Sequence, residues 1–197
     1  MDRRQRKTRS AILKACMALI QEKDFQKITV QDIVERADLN RGTFYLHFKD
    51  KYDMMDSFEN EMIEQIERAF VAHLPKEPSN RRFLESRYDT LVQILTCFKQ
   101  NKDLLQFLLK TNYASFQTKL RTKMKLLLTE EVFPKLELDY EVPVDLAIIL
   151  LTSLSLSLAE YAFDSNTPLN VEQTANFLFN IVLHGPAKAL GLLRGEG

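Results

Sequence analysis

Arg41, Gly42 and Thr43 form the segment whose residue types could most directly recognise another molecule. An arginine guanidinium is the commonest reader of guanine, because it pairs with the O6 and N7 acceptors in the DNA major groove. Glycine has no side chain that would hold the backbone away from a surface, and a threonine hydroxyl can donate or accept a hydrogen bond. These residues could therefore form hydrogen bonds with base edges, provided that they lie at the N-terminus of a helix that enters the groove.

Two short helices joined by a tight turn are predicted to position this segment. Thr29 can cap the first helix, because its hydroxyl accepts from the free backbone N–H groups of a first turn. Apolar residues then recur at i, i+3, i+4 and i+7, namely Val30, Ile33, Val34 and Ala37. Residues 38–40 break this pattern, Asn40 can cap the second helix, and Phe44 and Phe48 give that helix a buried side. This arrangement is typical of a helix-turn-helix, whose second helix enters the major groove.

The segment resembles the N-terminal DNA-binding domain of the TetR family of transcriptional regulators. The residues that match the family pattern are Thr29, Val30, Ile33, Ala37, Tyr45, His47, Phe48 and Lys51. With the preceding helix, the likeness extends over roughly residues 8–55. Two positions depart from the pattern, because Asp38 and Asp24 stand where the family usually has glycine. Asp tolerates a left-handed backbone better than most residues, so we expect the turn at Asp38 to survive.

The resemblance implies an all-α chain of about nine helices in two domains. Residues 1–52 would form a three-helix helix-turn-helix domain, and residues 53–197 a helical domain for ligand binding and dimerisation. The implied function is a ligand-responsive regulator, a repressor because the family mostly represses. It would bind a palindromic operator as a homodimer and leave it when a small-molecule effector of unknown identity binds. No enzyme activity and no cofactor are expected, and the sequence resembles no signal peptide, so the cytoplasm is the expected compartment.

The resemblance also suggests DNA contacts beyond Arg41, Gly42 and Thr43. It places Tyr45, His47 and Lys51 at phosphates, and Gln31 near a base or a phosphate. The basic tail is expected to follow the DNA backbone or enter a minor groove, as basic arms do; its residues include Arg3, Arg4 and Arg6. Two alternatives stay open: His47 could be a packed structural histidine, and the tail could be a disordered basic end.

Charge is distributed unevenly along the chain. The totals, 27 Lys and Arg against 27 Asp and Glu, give no sign of a nucleic-acid partner. Residues 1–52, however, hold 12 Lys and Arg against 7 Asp and Glu, and the remainder holds 15 against 20. A basic head on an acidic body fits DNA binding by the head alone. Without the helix-turn-helix motif, the asymmetry could equally be a solvated surface of no functional meaning.

The segment Leu146–Ala159 is 14 residues without a charge and is apolar or small nearly all round. A membrane span needs about 20 residues, so the segment is predicted to be a buried helix rather than a span. A chain of this size has too little interior to cover all sides of this helix, whereas pairing with a second copy of the chain would cover them. The resemblance implies that the last two long helices of each subunit form a four-helix bundle, with interface residues Leu154, Leu158, Phe177 and Ile181. The alternative is burial within one subunit.

An effector pocket is the least specific expectation. The resemblance places a pocket among the middle helices, and its candidate lining is Tyr88, Phe98, Phe107, Asn112, Tyr113, Phe116, Met124 and Tyr161. Pockets are mostly apolar with few polar groups, so the composition cannot separate such a pocket from an ordinary core.

The competing functional classes are a metabolic enzyme on a related helical scaffold and a helical adaptor that has lost DNA binding. Helical enzymes with two metals use Glu-x-x-His repeats, and the sequence has none. Its three histidines are scattered, so no metal site is predicted. Cys16 and Cys97 form no metal or disulfide pattern and are interpreted as small core residues. The intact motif between Tyr45 and Lys51 argues against the adaptor.

Overall fold

The computed structural model describes residues 2–73, 80–110, 115–135, 143–162 and 170–189. These residues form helices joined by turns and contain no strand, so the all-α prediction is confirmed for the part of the chain that is described. The nine α-helices of these residues are α1 Arg3–Ile20, α2 Val30–Arg36, α3 Arg41–Tyr45, α4 Lys51–Val71, α5 Asn80–Gln100, α6 Lys102–Lys110, α7 Ser115–Leu127, α8 Val144–Ala162 and α9 Val171–Ala189. Short 3-10 turns occupy Phe25–Lys27 and Phe133–Lys135, and a π-helical turn occupies Leu128–Val132.

The chain divides into two compact units. Unit 1 comprises the described residues of Met1–Met62 and Asp103–Ala114, and unit 2 those of Ile63–Lys102 and Ser115–Gly197. Unit 1 is larger than the predicted 1–52 domain because it includes the first half of α4. The ring of Phe58 in that half lies 5.6 Å from the ring of Phe48, and both side chains are buried. The core of unit 1 therefore extends past the start of α4 and includes the first half of that helix.

Helix α1 begins earlier than predicted. The likeness to the family begins at about residue 8, and the basic residues before it were expected to form an arm. In the structure the helix starts at Arg3, and the backbone N–H of Asp2 donates to Gln5 Oε1 at 3.3 Å. Gln, Arg and Lys are good helix formers, so a basic tail of this composition can continue a helix. Residues 3–7 are therefore part of α1 rather than a disordered end, and their contact with DNA stays a prediction.

Polar side chains cap the first turns of several helices. Asp50 Oδ1 accepts from the backbone N–H groups of Tyr52 and Asp53 at the start of α4, at 2.7 and 2.8 Å. Asn170 and Gln173 form a reciprocal capping box at the start of α9, with both bonds at 2.9 Å. Local hydrogen-bonding signals therefore set these helix starts.

Helix α9 is interrupted near its end, at Gly185. Gly185 has φ +75° and ψ +162°, which is not helical. Such a positive φ suits glycine because it lacks a Cβ atom.

Helix α8 is less buried than predicted. Its inner side includes Ile148, Leu156 and Ala159, all buried in unit 2. Several large apolar residues are instead exposed, namely Leu146, Ile149, Leu150, Leu151 and Tyr161. Residues Val144–Tyr161 are long and apolar enough to cross a bilayer by length and composition, with a mean hydropathy of 1.6, and 17% of them are buried. Unit 2 by itself therefore leaves one side of α8 uncovered.

Both cysteines lie among apolar residues. Cys16 is buried, and this burial raises the pKa of its thiol to about 12. Cys97 is half-buried, and burial likewise raises the pKa of its thiol. Because the thiolate is the reactive form, these environments agree with the interpretation of both cysteines as packing residues.

Candidate nucleic-acid interface and effector cavity

The first helix of the motif is fixed at its N-terminus by two reciprocal hydrogen bonds. The Thr29 backbone N–H donates to Asp32 Oδ2 at 2.7 Å, and the Asp32 backbone N–H donates to Thr29 Oγ1 at 3.1 Å. Lys23 Nζ lies 2.9 Å from Asp32 Oδ2. Lys23 and the bonds from Thr29 hold the pKa of the Asp32 carboxyl at about 2. The predicted cap at Thr29 is therefore confirmed, and it begins α2 at Val30.

The turn between α2 and α3 has the predicted left-handed residue. Asp38 has φ +54°, the one positive φ at a non-glycine residue among those described. The next backbone N–H, that of Leu39, donates to Val34 O at 2.9 Å. Asn40 then caps α3, because its Oδ1 accepts from the Thr43 backbone N–H at 2.7 Å. The expectation that Asp supports this turn in place of glycine is confirmed.

Helix α3 has one buried and one exposed side. Phe44 and Phe48 are buried, and their ring centroids lie 5.6 Å apart. On the other side Arg41 and Gly42 are exposed. Two large apolar side chains are also exposed there, Tyr45 to 50% and Leu46, which directly follows the helix, to 84%. The buried aromatic pair holds the short helix in place and leaves its N-terminal residues accessible to a partner.

Three other predicted contact residues lie at or near this surface. Gln31 is exposed on α2, and its Nε2 donates to Glu35 Oε1 at 2.6 Å. Thr43 is half-buried, and its hydroxyl donates to Asn40 Oδ1 at 2.9 Å, so the hydroxyl can still accept a bond from a partner. His47 is half-buried with its ring 6.2 Å from that of Phe48, which fits either a packed histidine or one that reaches a phosphate. Their contacts with DNA stay predictions.

Lys51 has a different environment from the one expected of a phosphate contact. Its Nζ donates to the backbone carbonyl oxygens of Phe25, Gln26 and Ile28, at 2.9, 2.8 and 2.7 Å. It also lies 4.9 Å from the ring centroid of Phe25 and 5.1 Å from that of Tyr52. An ammonium group has three N–H donors, so these carbonyls occupy all of them. Lys51 is half-buried, and this burial lowers the pKa of its ammonium group.

The basic residues at the start of α1 are accessible. Arg3, Arg4, Arg6 and Lys7 are all exposed in the first two turns. Cations at a helix N-terminus oppose the helix dipole and gain nothing from it, whereas an anion there is favoured. These side chains therefore do little for the helix and are placed to attract a polyanion.

Arg9 belongs to the same basic run and serves the fold instead. Its guanidinium donates to Ser57 Oγ at 2.8 Å, pairs with Glu61 and lies 4.6 Å from the ring centroid of Phe48. Arg9 therefore joins α1 to α4 within unit 1.

Leu46 is an accessible residue that sequence reasoning missed. It lies two positions from both Phe44 and Phe48, so the helical spacing that buries the aromatic rings turns Leu46 away from them. An apolar side chain can contact a thymine methyl group in the major groove. The available signal was a large apolar residue outside the buried stripe of a recognition helix.

Unit 2 encloses a cavity of about 260 Å³ among α4, α5, α7, α8 and α9. Phe98 and Met124 line it, as predicted. Tyr88 does not line it, but packs edge-on against the lining residue Phe179 with ring centroids 5.7 Å apart. Phe116 is buried away from the cavity, and 61% of Tyr161 is exposed. Tyr88, Phe116 and Tyr161 therefore do not line this cavity, and their contact with an effector stays a prediction.

Phe107 is also not among the residues that line this cavity. Phe107 lies in unit 1, where it borders a cleft with Met17 and Gln21 of α1. Asn112 and Tyr113 lie outside the described residues. Helical spacing can predict that an aromatic residue such as Phe107 is buried, but it cannot predict whether the residue lies in unit 1 or at the cavity in unit 2.

The predicted interface residues are partly accessible. Leu154, Leu158, Phe177 and Ile181 are all half-buried. The most exposed large apolar residues of α8 are instead Leu150 and Tyr161, at 59% and 61%. No group of three or more His, Cys, Asp or Glu side chains that could hold a metal occurs in the described part of the chain.

The helix-turn-helix segment matches a known family. Residues 12–58 match the model described as bacterial regulatory proteins, tetR family. The uncharacterized HTH-type transcriptional regulators YxbF and YvdT of Bacillus subtilis (strain 168) are 29% identical over 109 residues and 31% identical over 84 residues. These alignments cover 55% and 43% of this chain but 28% and 39% of the two relatives. The chain thus spans well under half the length of these curated relatives.

Solved structures match nearly the whole chain. A TetR transcriptional regulator from Streptococcus agalactiae 2603V is 26% identical with a TM-score of 0.58, covering 92% of this chain and 96% of that one. A TetR-like regulator from Rhodococcus sp. RHA1, at 14% identity, shares the fold with a TM-score of 0.63 over 91% of this chain and 96% of its own. The motif, the fold and these relatives agree: residues 12–58 match the DNA-binding domain of the tetR family of bacterial regulatory proteins, and the chain is similar in fold to TetR transcriptional regulators.

Proposed function

We propose that the protein is a repressor that binds a palindromic operator as a homodimer and leaves it when a small-molecule effector binds. The observation that carries the proposal is the division of residues 41–48, which comprise α3 and the turn after it, into a buried aromatic side and an exposed side with Arg41, Tyr45 and Leu46. Arg41 would read a base, Tyr45 and His47 would contact phosphates, and Leu46 would add an apolar contact. The exposed cations of α1 would supply further sequence-independent attraction.

The exposed side of α8 supports the homodimer. Ile148 and Leu156 are buried in unit 2 on one side of the helix, so a second copy of the chain would have to cover only the opposite side. A bilayer is a poor alternative, because Arg121 Nη2 donates to Ser153 Oγ in the middle of the helix at 2.8 Å. Burying a guanidinium in lipid is costly. We therefore assign the exposed side of α8 to contact with a second subunit, and the protein to the cytoplasm.

The cavity in unit 2 supports regulation by a ligand. An effector that releases the operator must bind the DNA-free arrangement more tightly than the DNA-bound one. The coupling is reciprocal, so operator DNA must weaken effector binding by the same factor. An effector with identical affinity in the presence and absence of operator would show that the protein is a DNA-binding dimer without allosteric control.

In vitro selection tests the DNA-binding part of the proposal. The full-length protein is incubated with random-sequence duplexes, and the bound fraction is amplified and sequenced over several rounds. The proposal predicts enrichment of an inverted repeat whose half-sites lie one helical turn or a multiple of it apart. Enrichment of no motif would favour a helical adaptor that keeps the fold without operator recognition.

A further inference from the structure

The cavity in unit 2 presents almost no polar surface. Most of its lining consists of aliphatic and aromatic side chains from five helices, including Ile66, Leu91, Ile94, Leu120 and Leu178. Hydrocarbon is stabilised when it leaves water for such surroundings, whereas a polar group moved there loses its hydrogen bonds to water. The lining therefore favours a ligand whose surface is hydrocarbon.

The hydroxyl groups in the lining do not call for a polar ligand. Thr90 Oγ1 donates to Ser86 O at 2.8 Å, Thr152 Oγ1 to Ile148 O at 2.7 Å, and Ser155 Oγ to Leu151 O at 2.7 Å. Each hydroxyl thus satisfies its donor on the preceding turn of its own helix. None of them requires an acceptor on a ligand.

Arg87 is the one charged side chain among the described residues that line the cavity, and it has contacts within the protein. Its guanidinium carbon lies 4.8 Å from the ring centroid of Phe70, and its Nη2 donates to Ser86 Oγ at 3.2 Å. Burial lowers the pKa of Arg87 to about 10, so the group stays charged at neutral pH and repels a cationic ligand. Because the guanidinium has partners of its own, the lining does not call for an anionic ligand either.

The volume of the cavity sets the size of the ligand. An apolar cavity of roughly 150 Å³ stays dry and holds benzene, so in proportion a cavity of about 260 Å³ has room for roughly ten carbon atoms. Leu151, Val182 and Leu183 line the cavity and are also exposed large apolar residues. A ligand that fills the cavity would therefore cover apolar surface that unit 2 leaves accessible.

We propose that the ligand of this cavity is an uncharged molecule of about ten carbon atoms that is held by apolar contacts. The assignment deepens the effector part of the proposed function and rests on it. An ionised group is disfavoured in the ligand, because a charge taken out of water finds almost no polar surface in the lining to replace its hydration. The lining thus selects for the absence of charge rather than for one carbon skeleton.

Three probes of similar shape that differ in charge test the proposal. Isopropylbenzene, benzoate and 1-phenylethylammonium have the same number of non-hydrogen atoms, and each has one branched substituent on a benzene ring. They are titrated separately into the full-length protein by calorimetry, without DNA. Isopropylbenzene is expected to bind roughly tenfold or more tightly than either ion, because only the ions must give up strong hydration. Equal or tighter binding of either ion, or no binding of isopropylbenzene, would overturn the proposal.

The substitution Ala147→Phe tests where isopropylbenzene binds. Ala147 belongs to the lining, so a phenyl ring at this position would take up space that the ligand needs, and affinity should fall roughly tenfold or more. Ala72→Phe is the matched control, because Ala72 is exposed just after α4 and is not among the residues that line the cavity. Its affinity for isopropylbenzene should equal that of the unmodified protein. A folded Ala147→Phe protein of unchanged affinity would also overturn the proposal.

Thermal melting checks that each variant is folded. If Ala147→Phe is unstable, Ala147→Leu takes its place, because it adds less bulk at the same position. The failure of the broader function is distinguishable. Isopropylbenzene binding in the cavity that leaves operator affinity unchanged would count against effector release but keep the apolar site. Operator binding without isopropylbenzene binding would refute the apolar site alone.

Discussion

At the scale of single residues, Lys51 shows how a motif lysine can serve the fold rather than the partner. Its ammonium group joins the start of α4 to the 3-10 turn Phe25–Lys27 through three carbonyl oxygens. Phe25 and Gln26 lie in that turn and Ile28 is its C-terminal cap, so the ammonium group supplies charged donors to the carbonyls at the end of a short helical turn. We therefore interpret Lys51 as a residue that positions the helix-turn-helix.

The substitution Lys51→Met tests this interpretation. It should lower the free energy of unfolding by about 1–3 kcal/mol, because three carbonyls lose a charged donor. Chemical denaturation measures this loss, and the exposed neighbour Lys49→Met should show little of it. The salt dependence of DNA binding should stay unchanged. A variant of native stability whose salt dependence falls by roughly one counterion per subunit would instead mark Lys51 as a phosphate contact.

Arg41 and Arg6 are expected to contribute to DNA binding in different ways. Arg41→Ala should cost about 1–3 kcal/mol on the selected operator and relax the preference at one base position. Arg6→Ala should weaken binding to operator and random DNA alike and reduce the salt dependence by roughly one counterion per subunit. Fluorescence anisotropy at several salt concentrations measures both. Equal losses on operator and random DNA for Arg41→Ala would show that Arg41 does not read a base.

Much of the helix-turn-helix could be predicted because its signals are local. The caps Thr29 and Asn40 bond to residues three positions away, and the left-handed turn depends on Asp38 itself. The role of Lys51 could not be predicted in this way, because its acceptors lie 23 to 26 positions back along the chain. The placement of Phe107 failed for the same reason: helical spacing identifies a buried side but not the neighbour that buries it.

At the scale of structural elements, the turn between α2 and α3 depends on a left-handed residue. An L-residue pays roughly 1–2 kcal/mol for this conformation, and Asp pays less than most. Asp38→Gly should therefore raise the free energy of unfolding by up to about 1 kcal/mol, and Asp38→Val should lower it. Thermal melting in parallel with the unmodified protein measures both changes. Destabilisation by glycine would mean that the Asp38 side chain contributes more than its backbone costs.

The two sides of helix α8 differ in their burial. Its inner side, with Ile148 and Leu156, completes the core of unit 2 together with the lining of the cavity. Its outer side leaves Leu146, Ile149 and Leu150 exposed. Sequence periodicity could not separate these sides, because an apolar residue occurs at nearly every position of the helix. The burial of individual residues separates the two sides. It makes Leu150, rather than the half-buried Leu154 and Leu158, the residue of choice for testing the proposed interface.

At the scale of the whole molecule, Leu150→Glu tests the proposed dimer. Because 59% of Leu150 is exposed, a glutamate there should leave the fold of a subunit intact. In the dimer it would place a charge in an apolar interface, which is costly. Sedimentation should show a monomer with native helix content, whereas Val71→Glu, at an exposed apolar residue of α4, should stay dimeric. A Leu150→Glu protein of unchanged mass would remove the outer side of α8 from the interface.

The central claim is that two copies of this chain read one operator together, and a titration on matched duplexes tests it most directly. The selected inverted repeat is compared with a duplex in which one half-site is scrambled, with stoichiometry and affinity measured at one fixed salt concentration. We predict two chains bound per intact operator and a large loss of affinity when a half-site is lost, because both recognition helices must be engaged. One chain per duplex, or equal affinity for the two duplexes, would contradict the account.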